Sequence, residues 1–214
     1  MIFNNSTAAR MKTSEVEILI VPGWSGSDED HWQSRWERSL KTARRVQQAD
    51  WLNPRRDKWV GTLISTIAKA ESDLPLVIVA HSLGVATVVH AAAELPPGTI
   101  AGAFLVAPAD VENAQNWPLT QGLGFKPNEC GFVPLPMQRL PFFTDVVAST
   151  NDPYCAIDRA HMFANAWGAA LIPAGDVGHI NVASGHGPWP EGLMRFGWFL
   201  KQVGEEVRAR QRPN

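Results

Sequence analysis

Leu76, Val77, Ile78, Val79 and Ala80 are apolar at every position. A strand with one face in water alternates apolar and polar side chains. A continuous run therefore marks a strand covered on both faces, as in a parallel sheet between helix layers. The remaining sequence keeps to that plan. Val16, Ile18, Leu19, Ile20 and Val21 make another strand, ended by Pro22 and Gly23. Residues 100–106, 142–149 and 169–173 read as further strands, and 44–48 as a weak one at a sheet edge. Helical stripes lie between them: Trp32, Trp36 and Leu40 at i, i+4, i+8, then Val60, Leu63, Ile64 and Ile67, then 84–94, 156–167 and 191–208. Ser27, with Asp30 three residues on, has the form of a capping box opening the first helix. The outer face of that helix is expected to carry Gln33, Arg35, Glu37 and Arg38. Together these elements predict an α/β protein, a three-layer α/β/α sandwich around a mostly parallel central sheet.

A chain of 214 residues suits one domain. The polar, unpatterned residues 1–14 are expected to form a disordered tail without the pattern of a secretory signal, and 15–210 the domain. Residues 107–141 break the alternation with six prolines and no sustained period. Trp117, Leu119, Leu123, Phe125, Phe132, Leu135 and Met137 make this insertion too apolar for a solvated linker, so it is expected to pack over the sheet edge or wall a pocket.

Charge excludes some partners. With 19 basic and 21 acidic side chains the net charge is −2, which gives no field for a polyanion, so nucleic acid is not expected. The apolar runs fall well short of the ~18 residues a membrane span needs. Two cysteines, Cys130 and Cys155, cannot staple a domain this large, so reduced thiols and a cytoplasmic location are expected. No C-x-x-C or H-E-x-x-H spacing occurs, and no metal or other cofactor is expected.

The chemistry centres on Ala80, His81, Ser82, Leu83 and Gly84. A buried strand ends there and a helix begins at once. This is the setting of a nucleophile elbow, which lifts a serine Oγ out at the top of a sheet and needs small residues two before and two after it. The usual pattern is G-x-S-x-G, so Ala80 is a mild departure. A serine at a helix start can also be a simple N-cap, but capping leaves the flanking small residues unexplained. His81 is expected to point away from Ser82 as a packed, hydrogen-bonded core residue.

A nucleophilic serine needs a base, and the base an orienting acid, in the chain order Ser, Asp, His. Asp152 follows the 142–149 strand, in a turn fixed by Pro153. His179 follows the last strand, in a loop at the same edge of the sheet. Asp110 is the rival acid and His186 the rival base. The oxyanion hole is expected from the backbone N–H groups of Leu83 and Trp24, the latter in the glycine-lined loop after the first strand. That loop lacks the lysine and spacing of a phosphate site. His31 and Trp117 are candidates for the substrate pocket.

Several blocks together carry a resemblance: Val21, Pro22, Gly23 and Trp24 with Asp30, His31, Trp32 and Trp36; the elbow itself; Leu140, Pro141 and Phe142 with Ser149 to Tyr154; Gly178, His179, Ile180 and Asn181 with Ser184 and Gly185; and Trp189 to Gly192. In these the chain resembles the small serine hydrolases of the α/β-hydrolase superfamily related to retinoblastoma-binding protein nine and the bacterial YdeN-like proteins. The resemblance implies a compact α/β-hydrolase fold with fewer than eight strands and no separate cap domain, and it maps the triad onto Ser82, Asp152 and His179. The expected activity is that of a carboxylesterase-like serine hydrolase acting on a small-molecule acyl ester through an acyl-enzyme. A thioesterase or amidase on the same residues, or a non-catalytic interaction module, are the alternatives.

Overall fold

Six strands join in one sheet, each parallel to its neighbours: β1 (Glu17–Val21), β2 (Ala43–Arg45), β3 (Leu76–Ser82), β4 (Gly102–Pro108), β5 (Phe143–Ala148) and β6 (Ala170–Pro173). They are the strands of the computed structural model, which describes residues 11–70, 73–117, 126 and 129–211. Their order is β2-β1-β3-β4-β5-β6. The chain leaves β1 towards β2 on one side and leaves β3 towards β4 on the other. Their outgoing loops therefore part above the β1–β3 pair, and a crevice at the carboxyl ends of the strands results.

The strands read as apolar on both faces because both are covered. Leu19, Val21, Ile78, Ala80, Leu105 and Val146 face a core shared with α2 (Arg56–Ala68), α3 (Leu83–Ala92) and α4 (Ile157–Trp167). Ile18, Ile20, Val77, Val79, Phe104 and Val147 face the other core, against α1 (Trp32–Ser39) and α5 (Pro190–Gln211). Trp32, Trp36 and Trp189 meet there with ring centroids 4.8 to 6.1 Å apart. This is the three-layer sandwich that the alternation of strands and helices predicts.

Three local expectations are corrected. Helix α1 begins at Trp32 and is capped by His31, whose Nδ1 accepts the Gln33 N–H at 3.2 Å. Ser27 cannot be the cap because a tight turn at Trp24–Gly26 leaves Ser25, Gly26 and Ser27 all at positive φ, away from the extended backbone a cap requires. Gln33 is fully buried rather than exposed. Its Nε2 donates to the carbonyls of Val21 and Val79, and its Oε1 accepts from Ser27 Oγ at 2.8 Å. Residues 11–14, placed in the tail by their polarity, pack as well: Met11 lies against Gly204 and the α1–α5 core, and the Thr13 carbonyl accepts from Thr42 Oγ1 at 2.7 Å.

Of the long insertion, Val111–Asn116 forms a short 3-10 helix that periodicity did not reveal, and Phe132, Leu135 and Leu140 are buried in the α2–α3–α4 core. Leu119, Leu123 and Phe125 lie outside the described residues.

One buried group opposes the fold. Asp145 is 1% exposed on β5, and its Oδ1 has no hydrogen-bond partner among the described residues. Burial pushes its carboxyl from the ordinary 3.8 up to about 6. The folded state therefore holds the proton more tightly than the unfolded chain, and stability falls as pH rises through 4 to 6. Asp145→Asn, which mimics the protonated form, is expected to raise stability by roughly 1–3 kcal/mol at pH 8 and to match wild type near pH 4. Urea unfolding at the two pH values checks this, and an equal gain at both would contradict it.

Candidate active site

The β1–β3 crevice is built on close backbone approach. Ser82 ends β3 with φ 56° and ψ −124°, a conformation L residues rarely hold, and it forms no side-chain cap to α3. That kink is tolerated because glycines face it. A Cβ on Gly84 would stand 2.3 Å from the Val21 carbonyl oxygen and 2.6 Å from that of Pro22. A Cβ on Gly23 would stand 2.8 Å from Ser82 Cβ and 3.1 Å from Leu83 N. The loop carrying Trp24 is thereby pressed against the start of α3. It is pinned from behind: Ser25 N–H donates to the Trp51 carbonyl, the Trp24 indole to the Leu52 carbonyl, and Arg45 to the carbonyls of Gly26 and Ser27.

Freed from capping, the Ser82 hydroxyl lies 2.8 Å from His179 Nε2. His179 Nδ1 lies 2.9 Å from both carboxylate oxygens of Asp152. Only a protonated Nδ1 can donate to a carboxylate, so Nε2 presents its lone pair to the hydroxyl. Asp152 and His179 are buried, and the Tyr154 N–H donates to Asp152 Oδ1 at 2.8 Å. The structure thus brings together the three residues chosen from chain order.

The rivals are occupied elsewhere. Asp110 is buried and paired with Arg159 at 2.9 Å and with Asn113. His186 Nδ1 meets Ser184 Oγ at 3.1 Å. The Cys155 thiol is pushed well up by burial and by the Asp110 and Asp152 carboxylates, so it supplies no competing thiolate. Among the described residues no group of three or more His, Cys, Asp or Glu could hold a metal ion, and no helix is long and apolar enough to cross a membrane.

The two pocket candidates fall differently. His31 is 5% exposed, caps α1 and packs on His81 with ring centroids 4.9 Å apart. Burial, together with the facing His179, Arg45 and His186, drops its imidazole to about 3. Trp117 donates its indole N–H to the Tyr154 carbonyl at 3.0 Å and packs on the Tyr154 ring, which in turn lies 4.3 Å from the His179 ring. It is one ring removed from His179.

Residues 18–198 match the model of a family described as serine hydrolase. The chain belongs to that family. Among solved structures, this serine hydrolase is similar to a protein of Pectobacterium atrosepticum described as a YdeN-like hydrolase, at 30% identity and TM-score 0.74 over 89% of this chain and 94% of that one. The ydeN gene product of Bacillus subtilis is similar at 19% identity and TM-score 0.67, covering 86% and 98%. Est1E of Butyrivibrio proteoclasticus, solved with ferulic acid bound, shares the fold at 15% identity and TM-score 0.64, covering 90% and 89%. No curated protein matches.

The sequence did not assign what steadies the Asp152 and His179 loops of this serine hydrolase. Asn151 Oδ1 accepts the Gly178 N–H at 2.7 Å, and Ser149 Oγ accepts the Val177 N–H at 3.1 Å. Tyr154 covers one side of the His179 ring. Their signal was their place in the Ser149–Tyr154 block around Asp152.

Proposed function

We propose that the chain is a carboxylesterase-like serine hydrolase that cleaves a small, uncharged or weakly charged acyl ester. The observation that carries this reading is the unbroken line from Ser82 Oγ through His179 to Asp152, at 2.8 and 2.9 Å, on a serine held at the kink between strand and helix. His179 Nε2 takes the hydroxyl proton as Oγ attacks the substrate carbonyl. Asp152 keeps the imidazole in the required tautomer and stabilises the imidazolium that forms. The backbone N–H groups of Trp24 and Leu83 receive the developing oxyanion; their support is the closeness of Gly23 to Leu83 N. As the intermediate collapses, the carbon–oxygen bond to the alcohol breaks and His179 protonates the leaving oxygen. Water then attacks the acyl-enzyme, giving its proton to His179, and Ser82 is regenerated with release of the acid. No cofactor enters these steps, and a cytoplasmic location fits two cysteines that form no bridge.

Ester is preferred over amide because an alkoxide leaves with less help than an amine. A thioester would be cleaved by the same steps. A fluorophosphonate probe tests the reading. It is expected to add one phosphonyl group to the wild type at Ser82 and none to Ser82→Ala, read by intact mass, and wild type is expected to turn over short p-nitrophenyl esters. Equal labelling of the two proteins would overturn the assignment of the nucleophile.

A further inference from the structure

Three successive residues of the loop carrying the base are each held by a side chain from a different part of the chain. Asn151 Oδ1 accepts from Gly178 N–H, Trp32 Nε1 donates to the Ile180 carbonyl at 2.9 Å, and His81 Nε2 lies 2.8 Å from the carbonyl oxygen of His179 itself. The loop needs such holding. Gly178 and Ile180 flank the base at φ 59° and 48°, and a β-branched residue persists there only where its surroundings over-determine the backbone. His81 differs from the other two residues of the clamp. It adjoins Ser82 in the chain, and its hydrogen bond ends on the peptide of the base.

Partners fix the protons. A carbonyl only accepts, so His81 carries its hydrogen on Nε2. His31 Nδ1 accepts the Gln33 N–H, and His179 Nδ1 donates to Asp152. In this row of rings, with centroids 4.9 and 4.8 Å apart, His179 alone turns an open lone pair towards Ser82. Burial, then the neighbouring His179 and His31, hold His81 well below its ordinary range, so it stays a neutral donor while the base cycles.

We propose that His81 is a positioning residue, whose Nε2–H locks the backbone of His179, and with it the direction of the imidazole, to the strand that carries Ser82. This rests on the reading of Ser82 and His179 as nucleophile and base. If the ring merely filled space between His31 and Trp32, phenylalanine would replace it best. If its donor matters, glutamine would, because the Gln amide nitrogen reaches the place of Nε2 whereas that of asparagine reaches only the place of Nδ1.

The experiment measures kcat and KM for p-nitrophenyl acetate, with thermal midpoints, on His81→Phe, His81→Gln and His81→Asn. Phe and Asn are expected to lower kcat about 10- to 100-fold with KM little changed, and Gln to restore most of the loss. Wild-type kcat in His81→Phe, or a Gln variant no better than Asn, would overturn the proposal. Should the Phe variant fail to fold, the Gln–Asn comparison decides. Ser82→Ala and His179→Ala belong in the same series. Activity surviving in either would overturn the nucleophile–base reading, whereas their inactivity beside a fully active His81→Phe would overturn only the positioning role.

Discussion

His179→Ala is expected to lower kcat on a p-nitrophenyl ester by about 10⁴- to 10⁶-fold, leaving only what binding and the oxyanion donors supply. The substitution removes both the acceptor 2.8 Å from Ser82 Oγ and the donor to Asp152, so the hydroxyl loses its base and the acid loses its task. Its cost to folding is modest by comparison, because the backbone bonds of residues 178–180 to Asn151, His81 and Trp32 do not use the imidazole. His186→Ala is the control. That ring meets Ser184 and Trp189 and is expected to leave kcat near the wild-type value. Activity that survived the first change and vanished with the second would place the base elsewhere.

Gly84→Ala is expected to remove a large part of the stability. In a helix interior alanine is favoured over glycine by about 1 kcal/mol, so propensity alone predicts a gain. Sterics reverse the sign. The added methyl would lie 2.3 and 2.6 Å from two carbonyl oxygens of β1 and its following turn, both main-chain atoms that no rotamer change can move. Relief requires α3 to lift from the sheet, opening the core packed beneath Leu83, Val85 and Ala86. A loss of roughly 3–5 kcal/mol is expected, against a typical total of 5–15. The urea midpoint checks it, and an unshifted midpoint would mean the elbow is looser than described. Ala80→Gly, which only restores the commoner small residue, should cost no more than about 1 kcal/mol.

The parts of this molecule legible in the sequence are those where one physical rule dominates. Residues 76–80 are apolar throughout because both faces of β3 are covered, and parallel neighbours followed from that. Ser82, Asp152 and His179 could be chosen because each follows a strand in the order this chemistry requires, and all carboxyl ends of a parallel sheet lie on one edge. What was missed depends on contacts remote in the chain. Gln33 lies beside the Trp32–Trp36 stripe, and pattern alone sends an amide there to solvent. The Val21 and Val79 carbonyls, which claim it, become visible only once β1 and β3 are paired. Ser27 had the right type and spacing for a cap, yet the three positive-φ residues before α1 gave that task to His31. The 3-10 helix at Val111–Asn116 is too short to show a period.

The base loop follows β6, the last strand to be made and an edge strand of four residues. Ser82 is synthesised 97 residues before His179, its proposed base. Until β6 docks on β5, the Ser82 hydroxyl lacks the imidazole that lies 2.8 Å from it in the folded chain. On the proposed reading of Ser82 and His179, the pair is therefore assembled only when the sheet is complete. A chain cut short before β6 would keep its serine but have no means of using it.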